Sequence, residues 1–402
     1  MDDDALKGIR RLLSRRVVKA SLLIAAALLM LLAAAVQRSD VPLPSKAVLD
    51  MHVHTAGLGA HGSGCFISRT LREGYKFKWY LKAFGTSQEQ LQREGDAVVI
   101  RHIAERVAAS RSVAKAVVLA MDGVIGASGE LDRDRTQVYV PNEFVARETR
   151  RYDNLLFGAS VNPYRRDALQ RLEQVKADGA VLVKWIPAIM HIDPAGAKLN
   201  PFYAKLVALE LPLLVHVGQE RSFGPARDEL GDPVRLIQAL EAGVTVIAAH
   251  IATTGKSEGE DNFRRILPLF ETYPNLYTDI SSLTQVNKLG FLYEALEVPG
   301  LSERMIYGSD WPLQFFPLVS PWYQVGHVRL GKIRAVGRLP NQWDRDVALK
   351  RAMGVPEEVF ARTWQVVKID RGLAIAQRAG RRRDHHRLGA PAAWRTAAAP
   401  AR

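Results

Sequence analysis

The chain has 402 residues and a single cysteine, Cys65, so no disulfide forms within it and any bound metal must take nitrogen and oxygen ligands. An apolar fraction of 48% and a charged fraction of 24% are those of a globular protein long enough to bury a sizeable core. The formal charge of +13 gathers at the two ends, in Lys7, Arg10, Arg11, Arg15, Arg16 and Lys19 and again from Arg371 to Arg402, which argues against a nucleic-acid groove in the body.

Residues 1–16 are polar and basic, and 20–36 are almost wholly apolar. A run of about 17 to 20 such residues can cross a bilayer as a helix. The basic flank predicts that the N-terminus stays in the cytoplasm and that the body lies on the extracytoplasmic side. A retained anchor and a cleaved signal peptide are both open, because Ala33-Ala34-Ala35 offers a small-residue cleavage site. A buried core helix is the bland alternative. The leader is taken as 1–37, and 38–46, with Pro42 and Pro44, as a linker to a body over 47–378.

The first strand of that body is Val48-Leu49-Asp50-Met51-His52-Val53-His54. A strand repeats every two residues, so His52 and His54 point to the same side and can grip one metal ion. A Gly-rich loop over 55–66 carries His61 and Cys65, and helical patterns follow at about 66–83 and 87–110. The second strand is expected at 116–121, a helix at 142–152, the third strand at 155–161, a helix at 167–177 and the fourth strand at 180–186. The rhythm continues with a helix at 200–209, a strand at 212–217, a helix at 233–242, a strand at 245–250, a helix at 260–272, a strand at 275–280, a helix at 287–297 and a strand at 304–310. Short continuous apolar runs mark strands buried on both faces, as in a parallel sheet. Eight of them with helices between predict one (β/α)₈ TIM barrel, with an open doubly wound sheet as the alternative. No G-x-G-x-x-G follows a strand to support a nucleotide-binding version. Helices at 342–353 and 356–368 are expected outside the barrel, and the Arg- and Ala-rich stretch 379–402 is expected to be disordered.

Polar residues close these apolar strands: His52 and His54 on the first, Lys184 on the fourth, His216 on the fifth, His250 on the sixth and Asp310 on the eighth. In a (β/α)₈ barrel the C-terminal strand ends converge on one mouth. One histidine closing a strand is usually a satisfied core residue. Four histidines, a lysine and an aspartate all so placed are better explained by a shared site. His191, Glu220 and Arg221 follow strands and could read a substrate. Trp185 and Trp311 flank site residues and are expected to wall the pocket. His61 is expected to be exposed.

The stretches Asp50-Met51-His52-Val53-His54, Val183-Lys184-Trp185, Leu214-Val215-His216-Val217-Gly218, Ala249-His250 and Tyr307-Gly308-Ser309-Asp310-Trp311-Pro312 resemble the amidohydrolase superfamily, and within it the short amidohydrolase-related branch. The resemblance implies a divalent metal centre, with one or two ions, on His52, His54, His216, His250 and Asp310. It implies that Asp310 also moves protons. A lysine at the place of Lys184 is carboxylated in binuclear members and bridges the metals; the plain reading is an ammonium that orients substrate or pairs with Asp310. Nitrogen and carboxylate ligands suit Zn²⁺, with Mn²⁺ or Fe²⁺ open. The reaction so implied is hydrolysis of an amide, ester, lactone or related bond in a small molecule. The alternative is metal-dependent, non-oxidative decarboxylation of an unsaturated or aromatic acid, and a third reading is a membrane-tethered binding protein without catalysis. Substrate identity and oligomeric state carry no motif.

Overall fold

The computed structural model describes residues 47–369, together with Ser21, Leu23, Ile24 and Leu43. The apolar leader and the basic tail at 379–402 therefore lie outside the described residues, apart from those few positions. Among the described residues no helix is long and apolar enough to cross a membrane.

All eight apolar runs form strands: β1 (Val48–His54), β2 (Val113–Leu119), β3 (Leu155–Ala159), β4 (Ala180–Trp185), β5 (Leu213–His216), β6 (Val246–Ala249), β7 (Leu276–Asp279) and β8 (Met305–Ile306). They lie side by side in sequence order in one sheet, and each pairing is parallel. The sheet closes on itself just beyond β8. There the amide of Asp310 donates to the His52 carbonyl at 2.9 Å, and the amide of His54 donates to the Trp311 carbonyl at 2.9 Å. A closed cylinder has no strand edge to protect, and it forces all eight C-terminal strand ends onto one rim.

The helices follow from the sequence period. Helix α1 (Lys76–Phe84) belongs to the β1–β2 excursion, with α2 (Ala97–Ala109) after it; α3 (Asn142–Thr149) and α4 (Ala168–Ala177) flank β3, α5 (Asn200–Ala208) precedes β5, and α6 (Asn262–Thr272) precedes β7. In α4 the buried residues are Ala168, Leu172 and Val175, spaced four and three apart, so one stripe faces the sheet. The pattern read as one helix at 66–83 is divided. Phe66–Ile67 pairs antiparallel with Val138–Tyr139, Ser68 caps a short helix over Arg69–Glu73, and Gly74 ends it. The pattern at 233–242 begins as a 3₁₀ turn over Pro233–Leu236, which the Asp232 side chain caps by accepting from the Val234 amide.

Leu49, Met51, Val117, Leu119, Leu182, Leu214, Ile247 and Ile306 form a buried cluster drawn from strands around the whole barrel, which is its inner layer. On β1 that layer takes the odd positions, whereas His52 and His54 are even. A register irregularity between Asp50 and Val53 lies between the two sets. Such a bulge re-aims side chains next to a site. It lets the same strand present apolar groups below and both histidines above.

Three helices follow the barrel among the described residues, over Leu330–Gly337 and then α7 (Gln342–Ala352) and α8 (Glu357–Val366). The expectation that α7 and α8 pack outside it needs correction for α8. Trp364, Val366 and Val367 join the inner-layer cluster, and the Trp364 indole donates to the Ala47 carbonyl at 2.8 Å, at the foot of β1. The reason is geometric: the lower end of a barrel this small leaves its inner layer open to water unless bulky side chains cover it.

Removing that cover should be costly. Trp364→Ala is expected to lower the unfolding free energy by about 3–5 kcal/mol in urea denaturation. Trp322→Ala, whose ring is 52% exposed, should change it by no more than about 0.5 kcal/mol.

Candidate active site

The site begins at the upper end of β1. His52 is 1% exposed, and its Nδ1 lies 2.7 Å from Oδ2 of Asp279 at the end of β7. With Nδ1–H donating to that carboxylate, Nε2 carries the lone pair and points into the barrel mouth. His52 Nε2 lies 3.2 Å from His54 Nε2, 3.2 Å from the Lys184 Nζ and 3.6 Å from Asp310 Oδ1. His54 Nε2 in turn lies 3.1 Å from Asp310 Oδ1. One ligand atom from each of His52, His54 and Asp310 falls within 4.8 Å of the other two, which is a group that could hold a metal ion.

A second pair of imidazoles lies on the same cavity. His250 Nε2 is 3.2 Å from His216 Nδ1, and His216 Nε2 is 3.4 Å from Glu220 Oε2. Nδ1 of His250 is buried without a hydrogen-bond partner. All six residues expected at the strand ends, His52, His54, Lys184, His216, His250 and Asp310, line one cavity of about 370 Å³.

Asp279 is the residue that sequence reasoning missed. Besides its bond to His52, its Oδ1 accepts from the His250 amide at 2.8 Å and from Ser281 Oγ at 2.6 Å. The signal was present, since Asp279 closes an apolar strand as the other site residues do. Asp50 is a second support: its Oδ1 accepts from the Ser309 amide at 2.9 Å and its Oδ2 from the Trp343 indole at 2.6 Å, which ties β1 to the turn that carries Asp310. That turn is left-handed at Asp310 (φ 62°), as is the backbone at His250 (φ 42°). Non-glycine residues hold that conformation only where their surroundings impose it.

The electrostatics keep His52, His216 and His250 neutral and Asp279 and Asp310 charged. Burial, with the Lys184 ammonium beside it, takes His52 down to about 4. Burial likewise lowers His216 and takes His250 well below the usual imidazole range. Burial acts to raise Asp279, but His52, Ser281 and the His250 amide outweigh it and hold this carboxyl down to about 2. The same contest leaves Asp310 well below the usual carboxylate range, with His54 the leading partner. Burial lowers Lys184 to about 8. Neutral imidazole and ionised carboxylate are the forms a metal ion takes as ligands.

The remaining candidates divide. Arg221 and Glu220 line the cavity. Trp185 does not: it is fully buried, packs on Phe202 at 5.3 Å between ring centroids, and donates its indole N–H to the Val161 carbonyl. It alternates with Lys184 along β4, so its ring lies on the outer, helix-facing side. Trp311 is stacked on Trp343 and also leaves the wall. His191, at the left-handed C-cap of a four-residue helix, is not among the residues that surround the cavity. His61 is exposed and contacts the Gln92 carbonyl. The walls come instead from the excursion after β1, with Phe77, Tyr80, Leu81 and Phe84 of α1, and from Phe223. Lys288, on the loop after β7, also lines the cavity; no sequence pattern marked it, and burial lowers its ammonium to about 8.

Comparison with known proteins bears on the family. No curated protein matches the sequence. Similar solved structures include an uncharacterized TIM-barrel protein from Bordetella bronchiseptica, 17% identical over 78% of this chain and 98% of that one, with a TM-score of 0.47. Another is described as a 2-pyrone-4,6-dicarboxylic acid hydrolase from Pseudomonas putida, 13% identical over 80% of this chain and 98% of that one, with a TM-score of 0.47. A third is 5-carboxyvanillate decarboxylase from Sphingomonas paucimobilis, 11% identical over 79% and 99% of the two chains, with a TM-score of 0.36. The amidohydrolase family model matches residues 50–322. That span starts at the aspartate leading into the two β1 histidines and runs past Asp310, so it holds every side chain that converges on the barrel mouth, and the chain belongs to the amidohydrolase family.

Proposed function

We propose that this chain is a metal-dependent hydrolase that cleaves an amide, ester, lactone or related bond in a small molecule. The observation that carries the reading is the convergence of His52 Nε2, His54 Nε2 and Asp310 Oδ1. Two imidazole nitrogens face each other at 3.2 Å, and the one whose tautomer Asp279 sets turns its lone pair toward the other ligands and the Lys184 amine. Such an arrangement suits a shared cation. The donor set, nitrogen and carboxylate without sulfur, fits Zn²⁺, with Mn²⁺ or Fe²⁺ as further candidates. His52, His54 and Asp310 would hold one ion, and His216 and His250 would complete it or hold a second.

A bound divalent ion supplies Lewis-acid chemistry, which polarises a substrate oxygen and makes water acidic near neutral pH. The chain supplies the rest. Asp310, ionised and fixed by Ser282 Oγ on its Oδ2, accepts the proton of the attacking water and returns it to the leaving group. Asp279 holds His52 in one tautomer and orientation. His250 would hold the substrate oxygen. The apolar walls from α1 and Phe223 exclude water around the scissile bond.

Lys184 has two roles open within this proposal. A deprotonated amine can add carbon dioxide, releasing one proton, and the resulting carbamate would offer carboxylate oxygens to the metal centre. As an ammonium it would instead orient substrate. The second form favours the alternative reaction, decarboxylation of an unsaturated or aromatic acid, because its charge at 3.2 Å from His52 Nε2 could seat a carboxylate at the metal. We place the barrel on the extracytoplasmic side of a membrane, on the strength of the apolar run 20–36 and its basic flank.

A panel of lactones, esters, amides and aromatic acids, assayed for hydrolysis and for carbon dioxide release on zinc-loaded protein, tests the reaction class. Hydrolysis is expected, and release of carbon dioxide alone would favour the alternative. Asp310→Asn is expected to lower kcat by about 10²–10⁴-fold, measured on whichever panel compound turns over. Asp279→Asn is expected to weaken zinc binding by about 10–100-fold in a competition titration, since the His52 tautomer is no longer set. Chelator treatment should abolish turnover, and zinc should restore it.

A further inference from the structure

The fold partners its buried cations everywhere but at one place. Five cationic side chains are buried among the described residues: Lys115, Arg165, Lys184, Lys288 and Lys350. Arg165 is clamped by Asp122 through two bonds of 2.6 Å, Lys350 meets Asp346 at 2.7 Å, Lys115 donates to the Asp153 carbonyl at 2.6 Å, and Lys184 meets His52. Lys288 is 7% exposed and lines the cavity from the 3₁₀ turn over Val286–Lys288. Among the described residues its ammonium has no hydrogen bond and no carboxylate within 4.0 Å. The two carboxylates on the same cavity are engaged elsewhere, Glu220 with the Ser222 amide and Asp310 with His54 and Ser282. An ammonium that opens onto the cavity without a bonded partner is placed to receive an anion.

We propose that Lys288 anchors a carboxylate of the substrate, so that the cavity takes an organic acid with an apolar body. The proposal rests on the hydrolytic reading above and names its substrate class. The carboxylate sits at Lys288, the body lies against Phe77, Tyr80, Leu81, Phe84 and Phe223, and the bond to be cleaved lies at His52, His54 and Asp310. Arg221, exposed at the rim and donating to Gln219 Oε1 at 2.7 Å, draws anions toward the mouth.

Phenylacetate and phenylacetamide, alike in size and different in charge, test this by isothermal titration of the zinc-loaded full chain. The wild type should bind the acid at least about tenfold more tightly than the amide. Lys288→Met should erase that preference while amide affinity and zinc content stay unchanged, and Lys288→Arg should keep it. A wild type without preference, or a Lys288→Met variant that retains it, overturns the proposal. A preference that follows Lys288 in a protein that binds no zinc would uphold the anion site and refute the metal-hydrolase reading, so the two failures are distinct.

Discussion

Asp279 joins the two halves of the site through one carboxylate. Oδ2 meets the His52 ring at 2.7 Å, and Oδ1 takes the amide that begins the left-handed turn at His250. The group is fully buried and ionised, so its charge must be met by these donors. Because β7 stands beside both β6 and β8 in the cylinder, a single residue there can reach the loop of the one and, across β8, the strand of the histidine pair. The orientation of the imidazoles is therefore set by the fold before any ligand binds, and that preorganisation is what a metal centre requires.

The barrel separates stability from chemistry along its axis. Below the histidines lies an apolar inner layer closed by Trp364, where packing alone is at stake. Above them lies a cavity with a polar floor and aromatic walls. The bulge in β1 is the junction, since it turns a strand that feeds the core into one that feeds the site. Asp50 secures that junction to the Asp310 turn, and burial raises its carboxyl to about 6 against the pull of Ser309 and Trp343.

The strand ends were legible because two signals coincided. A short apolar run marks a strand buried on both faces, and a polar residue closing it is anomalous there. His52, His54, Lys184, His216, His250 and Asp310 were found that way, and the cavity collects them all. Asp279 obeys the same rule, closing the apolar strand β7. Trp185 adjoins Lys184 in sequence but not in space, because a strand sends neighbouring side chains to opposite faces. His191 takes its direction from the left-handed cap of a short helix, a turn that the sequence does not display. Lys288 carried no signal at all, since its significance lies in the absence of a partner, which only three dimensions reveal.

The central claim is that side chains from the first strand and from the turn after the last, which meet where the cylinder closes, share a cation at its upper rim. Anomalous diffraction at the zinc edge, from crystals grown with zinc, tests it most directly. The account predicts a peak about 2.0–2.2 Å from His52 Nε2, His54 Nε2 and a carboxylate oxygen of Asp310. A zinc peak elsewhere, with those three atoms bound to no metal, would contradict it.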